Sequence, residues 1–523
     1  MSVSQKLKAL SKDSIVYAFP SVLQRSFGLI TLPIFSRILA PEDYGVMGMM
    51  AAISCFVGMF IPTDWEAAVT LCYHDAANEN ERRSAVTTWL YFHFTVALVL
   101  ACGLWLASER IAASFLGSPH AHTLLNFLAG TSLLGTGTWP IAWTLLRIER
   151  KKWWVVGILS GHFLLCMILS MLLVAVARQG VQGIYLAGFL SSIPLFFVSV
   201  WIVRPWLSPR GFSWRHLRKL VHLGLPYLPM TASIWFIGNL NRFFLEHFHG
   251  LGDVGLLSIA TSLASGVGVM VLAFQQAWWP FAIALKDHTD GKPVYAQALT
   301  SYLLLACGAA AALAMFTPEL LSILTPQRYH AAALMVAYTA MTAVGTGVCT
   351  IAALGVTLAK KTSFIAWIAM LIAALAVLLN LLLVPSLGIT GAALSSLFAQ
   401  WTSAGLLFVL SQRNYFIAYQ WRSAGLILLA TIVLIALGAQ IETGHWWLTL
   451  IVKLCWFSCF PGIILVFRVI TTNQLRMLAG WTQPPISAAA AEACNLSVRP
   501  VPDHVAEGHP PLGTIESCAA AKG

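Results

Sequence analysis

Charge is scarce in this sequence. Lys, Arg, Asp and Glu make up only 10% of its 523 residues, against roughly 25% in an ordinary soluble domain. Soluble domains would each need a polar surface that this chain cannot supply, so a soluble globular protein is excluded. Catalytic machinery is missing too: no soluble segment carries a nucleophile–base constellation, a phosphate loop or a metal motif. The ten cysteines form no CxxC. Cys55, Cys72, Cys102, Cys166, Cys307, Cys349, Cys455 and Cys459 fall in or beside apolar runs, which reads as packing rather than a disulfide scaffold. Cys455 and Cys459 are one helical turn apart but lack a His or acidic partner at a matching offset, so no metal site is predicted. No cofactor is implied.

Apolar residue is abundant, at 58% of the chain with mean hydropathy +0.78. It comes in packets suited to a hydrocarbon core about 30 Å thick, which asks for roughly 20 residues per helix. Charged, Pro-rich and Gly-rich breaks divide it into fourteen candidate spans: 14–38, 45–72, 84–108, 123–147, 153–177, 183–203, 220–245, 254–284, 294–317, 331–358, 364–384, 389–410, 423–440 and 446–468. They are apolar on every face and lack the alternation of a β-barrel. The predicted fold is an all-α polytopic membrane protein. The first span contains Arg25 and no small-residue cleavage site, so the N-terminus reads as retained.

Sidedness follows from Lys and Arg in the short loops. Lys6, Lys8, Lys12, Arg82, Arg83, Arg147, Arg150, Lys151, Lys152, Arg204, Arg210, Arg215, Arg218, Lys219, Lys286, Lys292, Lys360, Lys361, Arg413, Arg422, Arg468 and Arg476 lie on every second loop. The opposite loops hold only Arg37, Arg110, Arg178, Arg242 and Arg328. This bias assigns the first set, and both termini, to the cytoplasm. The net charge of +11 is then a topology signal, and its dispersal gives no support to a nucleic-acid partner. The one concentrated stretch, Arg204 to Lys219 with Trp206 and Trp214, reads as an amphipathic linker on the anionic inner leaflet. After Trp481 the chain is rich in Pro and Ala without helical periodicity, so a disordered cytoplasmic tail is expected over 471–523.

An internal repeat is visible. EDYGVMGMMAAISCFVG, ending at Gly58, and GDVGLLSIATSLASGVG, ending at Gly268, match at Asp43/Asp253, Gly45/Gly255 and Gly58/Gly268 with a constant offset of 210 residues. Both precede an inward-running span, so the repeat is parallel and six spans long. It predicts an N-lobe (1–219), a C-lobe (220–422) and a terminal helix pair (423–470).

Three stretches carry a family resemblance. KDSIVYAFPSVLQRSFGLITLPIFSRILAPEDYGVMGMM, LGLPYLPMTASIWFIGNLNRFFLEHFHGLGDVGLLSIA and VPSLGITGAALSS resemble, in order and spacing, the polysaccharide-biosynthesis flippases of the multidrug/oligosaccharidyl-lipid/polysaccharide exporter superfamily. The resemblance implies translocation of an undecaprenyl-pyrophosphate-linked oligosaccharide across the inner membrane for O-antigen, capsule or exopolysaccharide. It also implies membrane lipids, a polymerase and a chain-length regulator as partners. One departure is that the acidic member of the family's usual Asp-Arg pair is Asn241 here, followed by Arg242.

A charge near the bilayer centre costs at least about 2.5–3.5 kcal/mol, so each one needs a partner or a wet cavity. Arg25, between Pro20 and Pro33, is a candidate for pyrophosphate, which a guanidinium binds in bidentate fashion. Related lipid II flippases are thought to use arginines on span one in this way. Asp64 and Glu66, after Pro62, are candidates for ion coupling or for the counter-charge of Arg25, because two close carboxylates do not both ionise easily. Asn239, Asn241, Arg242, Gln275 and Gln276 are the polar set of the second lobe and can hydrogen-bond sugar hydroxyls. Trp278 and Trp279 read as an interfacial belt or as stacking faces. His93, His162 and Asn380 read as packing groups. Pro20 and Pro33 in span one, with Pro226 and Pro229 in span seven, interrupt corresponding helices and so point to the substrate pathway. The mechanism expected is alternating access about a cavity lined by spans one, two, seven and eight.

Other readings are a drug/cation antiporter or a lipid II flippase of the same superfamily. A polymerase or ligase would carry a long catalytic external loop, which this sequence lacks.

Overall fold

The computed structural model describes residues 19–466 except 21, 25–26, 62–68, 71, 74–75, 77, 118–120, 209–210, 226–227, 287–290, 360, 362 and 442–445. The expected tail at 471–523 lies outside them. The described chain runs through α1 (27–38), α2 (Pro41–Phe60), α3 (Glu79–Phe115), α4 (Ala121–Thr131), α5 (Trp139–Ile148), α6 (Lys152–Met171), α7 (Gly180–Val203), α8 (Trp214–Gly224) and α9 (Leu228–His249). It continues through α10 (Leu251–Ala284), α11 (Gly291–Leu324), α12 (Ala333–Leu358), α13 (Ser363–Asn414), α14 (Trp421–Gly438) and α15 (Trp446–Val466). Among the described residues nine helices are long and apolar enough to cross a membrane. The all-α polytopic class read from hydropathy is therefore the architecture observed.

Local chemistry sets the ends of these helices. Asn78 Oδ1 accepts the Glu81 N–H at 2.9 Å to start α3, with Glu79 and Glu81 in its positively polarised first turn. At α2, Pro41 occupies the first turn and Asp43 Oδ2 accepts the Ala40 N–H at 2.8 Å. α4 and α5 form one span joined through a π-helical turn at Ser132–Thr136. α13 covers two expected spans and reverses at Gly388, whose φ of 55° favours glycine. Arg178, the same 210 residues earlier, also has positive φ, at 53°.

The repeat becomes a contact where α2 meets α10. A Cβ on Gly45 would run into Leu251 O, and one on Gly255 would run into Pro41 O. Pro41 and Leu251 are themselves one offset apart, as are Gly45 and Gly255, so the contact is reciprocal about a local two-fold axis. Gly48 faces its own counterpart, Ser258, where a Cβ would strike Ser258 Oγ. The two backbones can cross this closely because neither glycine carries a side chain. The crossing lies at the ends that the charge bias assigns to the outer face.

Packing around the crossing continues to join the two halves. Arg328 Nη2 donates to Ser36 O at 3.0 Å and Leu39 O at 2.7 Å, and Tyr329 Oη donates to Leu39 O at 2.7 Å. These donors satisfy carbonyls that the end of α1 leaves free. Ser36 Oγ in return donates to Leu324 O at 3.2 Å, and the Tyr44 and Tyr329 rings meet edge to face, 5.6 Å apart. The main buried cluster runs through the same region, from Leu32, Phe35 and Met50 to Leu257, Tyr329 and Val336. At the opposite end, a cluster around Val86, Trp89, Leu145 and Val203 draws only on residues 69–220.

α8 is the amphipathic linker expected from the sequence: Leu220 is buried while Arg215, Arg218 and Lys219 are exposed. It is stitched to α3. Ser208 N donates to Thr87 Oγ1 and Ser213 N to Thr88 Oγ1, each at 3.0 Å, and Ser84 Oγ donates to Gly211 O at 2.6 Å. With its proton committed there, Ser84 Oγ is left to accept from His216 Nδ1 at 3.2 Å. Burial holds His216 below its usual pKa; Glu81 pulls it up, and Arg215 and Lys219 push it down.

Two predictions follow from these contacts. Gly45→Ala and Gly255→Ala should each destabilise the detergent-purified protein by about 1–3 kcal/mol through overpacking. Gly58→Ala, where a Cβ meets nothing within 4 Å, should not lower its melting midpoint and should raise it slightly. Because His216 binds its proton less readily when docked, docking of α8 should weaken as pH falls below about 6.5. Hydrogen-exchange protection over 207–224, corrected for intrinsic rates, should fall with it, and His216→Asn should remove that dependence.

Candidate functional site

α9 is the element that gathers polar groups. It lies against both α2 and α13. Its fixed points are Trp235, whose indole N–H donates to Ala52 O at 2.9 Å, and Asn241, whose Nδ2 donates to Ser396 Oγ at 3.1 Å. Asn241 is buried, and its Oδ1 has no partner. The Asn in place of the family's usual acid thus serves as a neutral tie to α13.

Arg242, next in sequence, points to the other side of α9, toward Cys55 of α2. Its Nη1 donates to Asn239 Oδ1 at 2.7 Å, one turn back on the same helix. Its Nε is buried and unpartnered, and no carboxylate among the described residues pairs with it. The Asn239 amide therefore orients a guanidinium without neutralising it. Cys55 is exposed and Arg242 is half-buried. A cation held this way retains the capacity to bind an anion bidentately.

The other predicted residues do not converge on this point. Arg242 is seven residues before the end of α9, and Gln275 is 24 residues into α10, so at 1.5 Å per residue the two differ in depth by about 25 Å. Gln275 Nε2 donates to Thr350 Oγ1 of α12 at 2.7 Å, and Gln276 is exposed. Trp278 is buried against Phe274, stacked at 5.6 Å, and Tyr295, so it offers no free face to a sugar. Trp279 is half-buried. Arg25, Asp64 and Glu66 lie outside the described residues; the helix of span two ends at Phe60, with Ile61 extended. His93 Nε2 bonds to Thr136 O at 2.9 Å, His162 Nδ1 to Ser191 O at 3.1 Å, and Asn380 to Ala376 O and Ser395 Oγ, which agrees with their reading as packing groups.

Sequence reasoning missed Lys453. It is 2% exposed within α15, and its Nζ reaches Glu319 Oε1 of α11 at 2.6 Å and Met315 O at 3.0 Å. A lone lysine inside an apolar run was the available signal; its partner, far off in sequence, gave none. This pair docks the terminal helices onto α11.

Comparison with known proteins places this architecture. The family described as "Polysaccharide biosynthesis protein" matches residues 34–334, more than half of the chain. The chain belongs to this polysaccharide biosynthesis protein family. Within the family it is 21% identical to a protein of the Lsg locus of Haemophilus influenzae over 56% of this chain and 71% of that protein. It is 25% identical to the succinoglycan biosynthesis transport protein ExoT of Rhizobium meliloti over 48% of this chain and 50% of that protein, about half of each. Among solved structures it resembles the lipid II flippase MurJ in an inward closed conformation, with TM-score 0.68 and 15% identity over 87% of this chain and all of that one. It also resembles an inward-facing multidrug resistance MATE family transporter, with TM-score 0.61 and 15% identity over 76% of this chain and 97% of that one. At that identity the structural likeness speaks for the fold alone. Family and fold together make the chain a multi-pass membrane protein of polysaccharide biosynthesis with a fold shared by MurJ and MATE transporters. The family match spans the Arg242 site but ends before α14 and α15.

The Lys453–Glu319 pair has a direct test. Lys453→Ala removes the buried partner of a half-buried carboxylate and should lower the unfolding midpoint in detergent, by less than the roughly 3–5 kcal/mol of a fully buried pair. Exchanging the two charges, Glu319→Lys with Lys453→Glu, should recover much of the loss. Equal loss in the single and exchanged variants would show that packing, not charge pairing, holds the terminal helices.

Proposed function

We propose that this chain moves an undecaprenyl-pyrophosphate-linked oligosaccharide across the inner membrane, by alternating access between an N-lobe (1–219) and a C-lobe (220–422). The observation that carries the reading is Arg242: a guanidinium oriented by Asn239, with no carboxylate partner among the described residues, in a chain of the polysaccharide-biosynthesis family. Pyrophosphate is the anion such a group suits, and Asn239, one turn back on the same helix, adds an amide for the adjoining sugars; Asn241, buried and tied to Ser396 of α13, leaves that set. Arg25 would supply a second phosphate contact, and Asp64 and Glu66 the ion coupling. Both termini would lie in the cytoplasm, and α14 and α15 would flank the C-lobe.

The reading is supported by where the halves touch. The main buried cluster and the Gly45/Gly255 crossing join them at the outer ends, whereas the cluster at the inner ends draws on the N-lobe and, beyond it, on Leu220 of the linker helix alone. A cleft opening inward between the halves would receive a lipid-linked head from the cytoplasmic leaflet, its polyprenyl tail remaining in the bilayer. Translocation then requires the α2–α10 crossing to part and an inner contact to form.

Deleting the gene should accumulate undecaprenyl-linked glycan and remove surface polysaccharide. Restoration should fail with Arg242→Ala and be partial with Arg242→Lys, at equal protein levels in the membrane. Accumulated substrate should slow modification of Cys55 by a charged thiol reagent. Unchanged polysaccharide with increased drug sensitivity would instead assign a drug antiporter, and full export by Arg242→Ala would remove this residue from the pathway.

A further inference from the structure

A second site lies away from the contact between the halves. At the cytoplasmic ends of α3, α6 and α7, by the charge assignment, residues 79–206 enclose a half-open cavity of about 600 Å³. Its charged lining is Glu79, Arg83, Glu149, Lys151 and Arg204, and two of its walls are Trp154 and Trp201. The lining is not a simple basic patch. Glu79 holds Arg83 at 2.7 Å, and Glu149 holds Lys151 at 2.7 Å. Both carboxylates are thus engaged, and Arg204 is the lining cation for which no carboxylate among the described residues acts as partner. The cavity therefore carries one uncompensated positive charge.

The apolar walls narrow the choice of occupant. The Trp154 and Trp201 rings lie 6.0 Å apart at 37° to each other and are 53% and 61% exposed. Indoles half-exposed at helix ends are typical of the headgroup level of a bilayer. The floor is firm, because Trp206 and Ile202 rest on the buried cluster of Val86, Trp89, Leu145 and Val203. Beside it, the stitched linker presents Arg215, Arg218 and Lys219, which raise the local potential at an anionic leaflet. A ligand that meets one unpaired guanidinium, carries a single negative charge and has apolar substance at the level of the indoles is a glycerophospholipid with a phosphodiester head.

We propose that this cavity binds the phosphodiester head of one anionic phospholipid of the inner leaflet, with Arg204 holding the phosphate and Trp154 and Trp201 flanking the glycerol. The site is built within the N-terminal half and does not depend on the transport reading. Its occupant would hold the inner ends of α3, α6 and α7 together.

The test uses the full chain in detergent, titrated with phosphatidylglycerol and followed by native mass spectrometry. The unaltered protein should retain one phosphatidylglycerol in preference to phosphatidylcholine. Arg204→Ala should weaken that retention about fivefold, the effect of one interfacial cation, and Arg204→Lys should restore most of it. Trp201→Ala should also weaken it, and Arg413→Ala, on the other half, should not. If Arg204→Ala fails to fold, Arg204→Gln and Trp201→Ala carry the same comparison. The proposal is overturned if phosphatidylcholine is retained equally, or if folded variants at Arg204 and Trp201 retain phosphatidylglycerol unchanged. Displacement by soluble glycerol phosphate as effective as by phosphatidylglycerol would also overturn it, and would assign the cavity to a free phosphate ester.

Discussion

Two helix backbones can touch only where no side chain keeps them apart, and the join between α2 and α10 rests on that condition. In lipid, apolar side chains gain little by leaving one hydrocarbon environment for another, so close packing and a few hydrogen bonds decide where helices associate. Gly45 on Leu251 O and Gly255 on Pro41 O supply the packing. Arg328 and Tyr329, closing on the carbonyls at the end of α1, supply the hydrogen bonds. The buried cluster that crosses between the halves is built around this join. A contact made of backbone surface and exchangeable hydrogen bonds can be broken and remade without unfolding either half.

The few charges within the apolar segments divide by partner. Lys453 meets a carboxylate and a carbonyl and is spent on holding the terminal helices. Arg242 meets a neutral amide and, among the described residues, no carboxylate. Asn241, where relatives are expected to carry an acid, ties α9 to α13 instead of pairing with Arg242. The amide lets this buried position hold the helix contact without a charge.

At the end that carries the basic loops, the residues that mark sidedness also shape the protein. The turn with Glu149 and Lys151, the end of α7 at Arg204 and the stitched helix α8 converge on one face, where Trp154, Trp201 and Trp206 set a depth. Residues that in sequence look like scattered topology markers become a surface with a defined partner chemistry once the helices bring them together.

Much of this was legible in the sequence. Hydropathy is a sum over neighbours along the chain, so the helical spans and the break at Arg204–Lys219 could be read without any tertiary information, and so could the repeat that carries Gly45 and Gly255. Arg242 stood out because a charge in an apolar run costs energy wherever the run folds. The sequence could not say which polar groups share a depth: Asn239 and Arg242 join one cluster while Gln275 turns to Thr350 on another helix. Nor could it pair Lys453 with Glu319, or show that two glycines at one offset would face each other's neighbours. Composition and periodicity act locally and additively, so the sequence alone determined the class of protein and the elements it is made from. Contacts between distant segments depend on how helices cross, and only the tertiary structure decided which charges are neutralised, which remain free, and where the two halves meet.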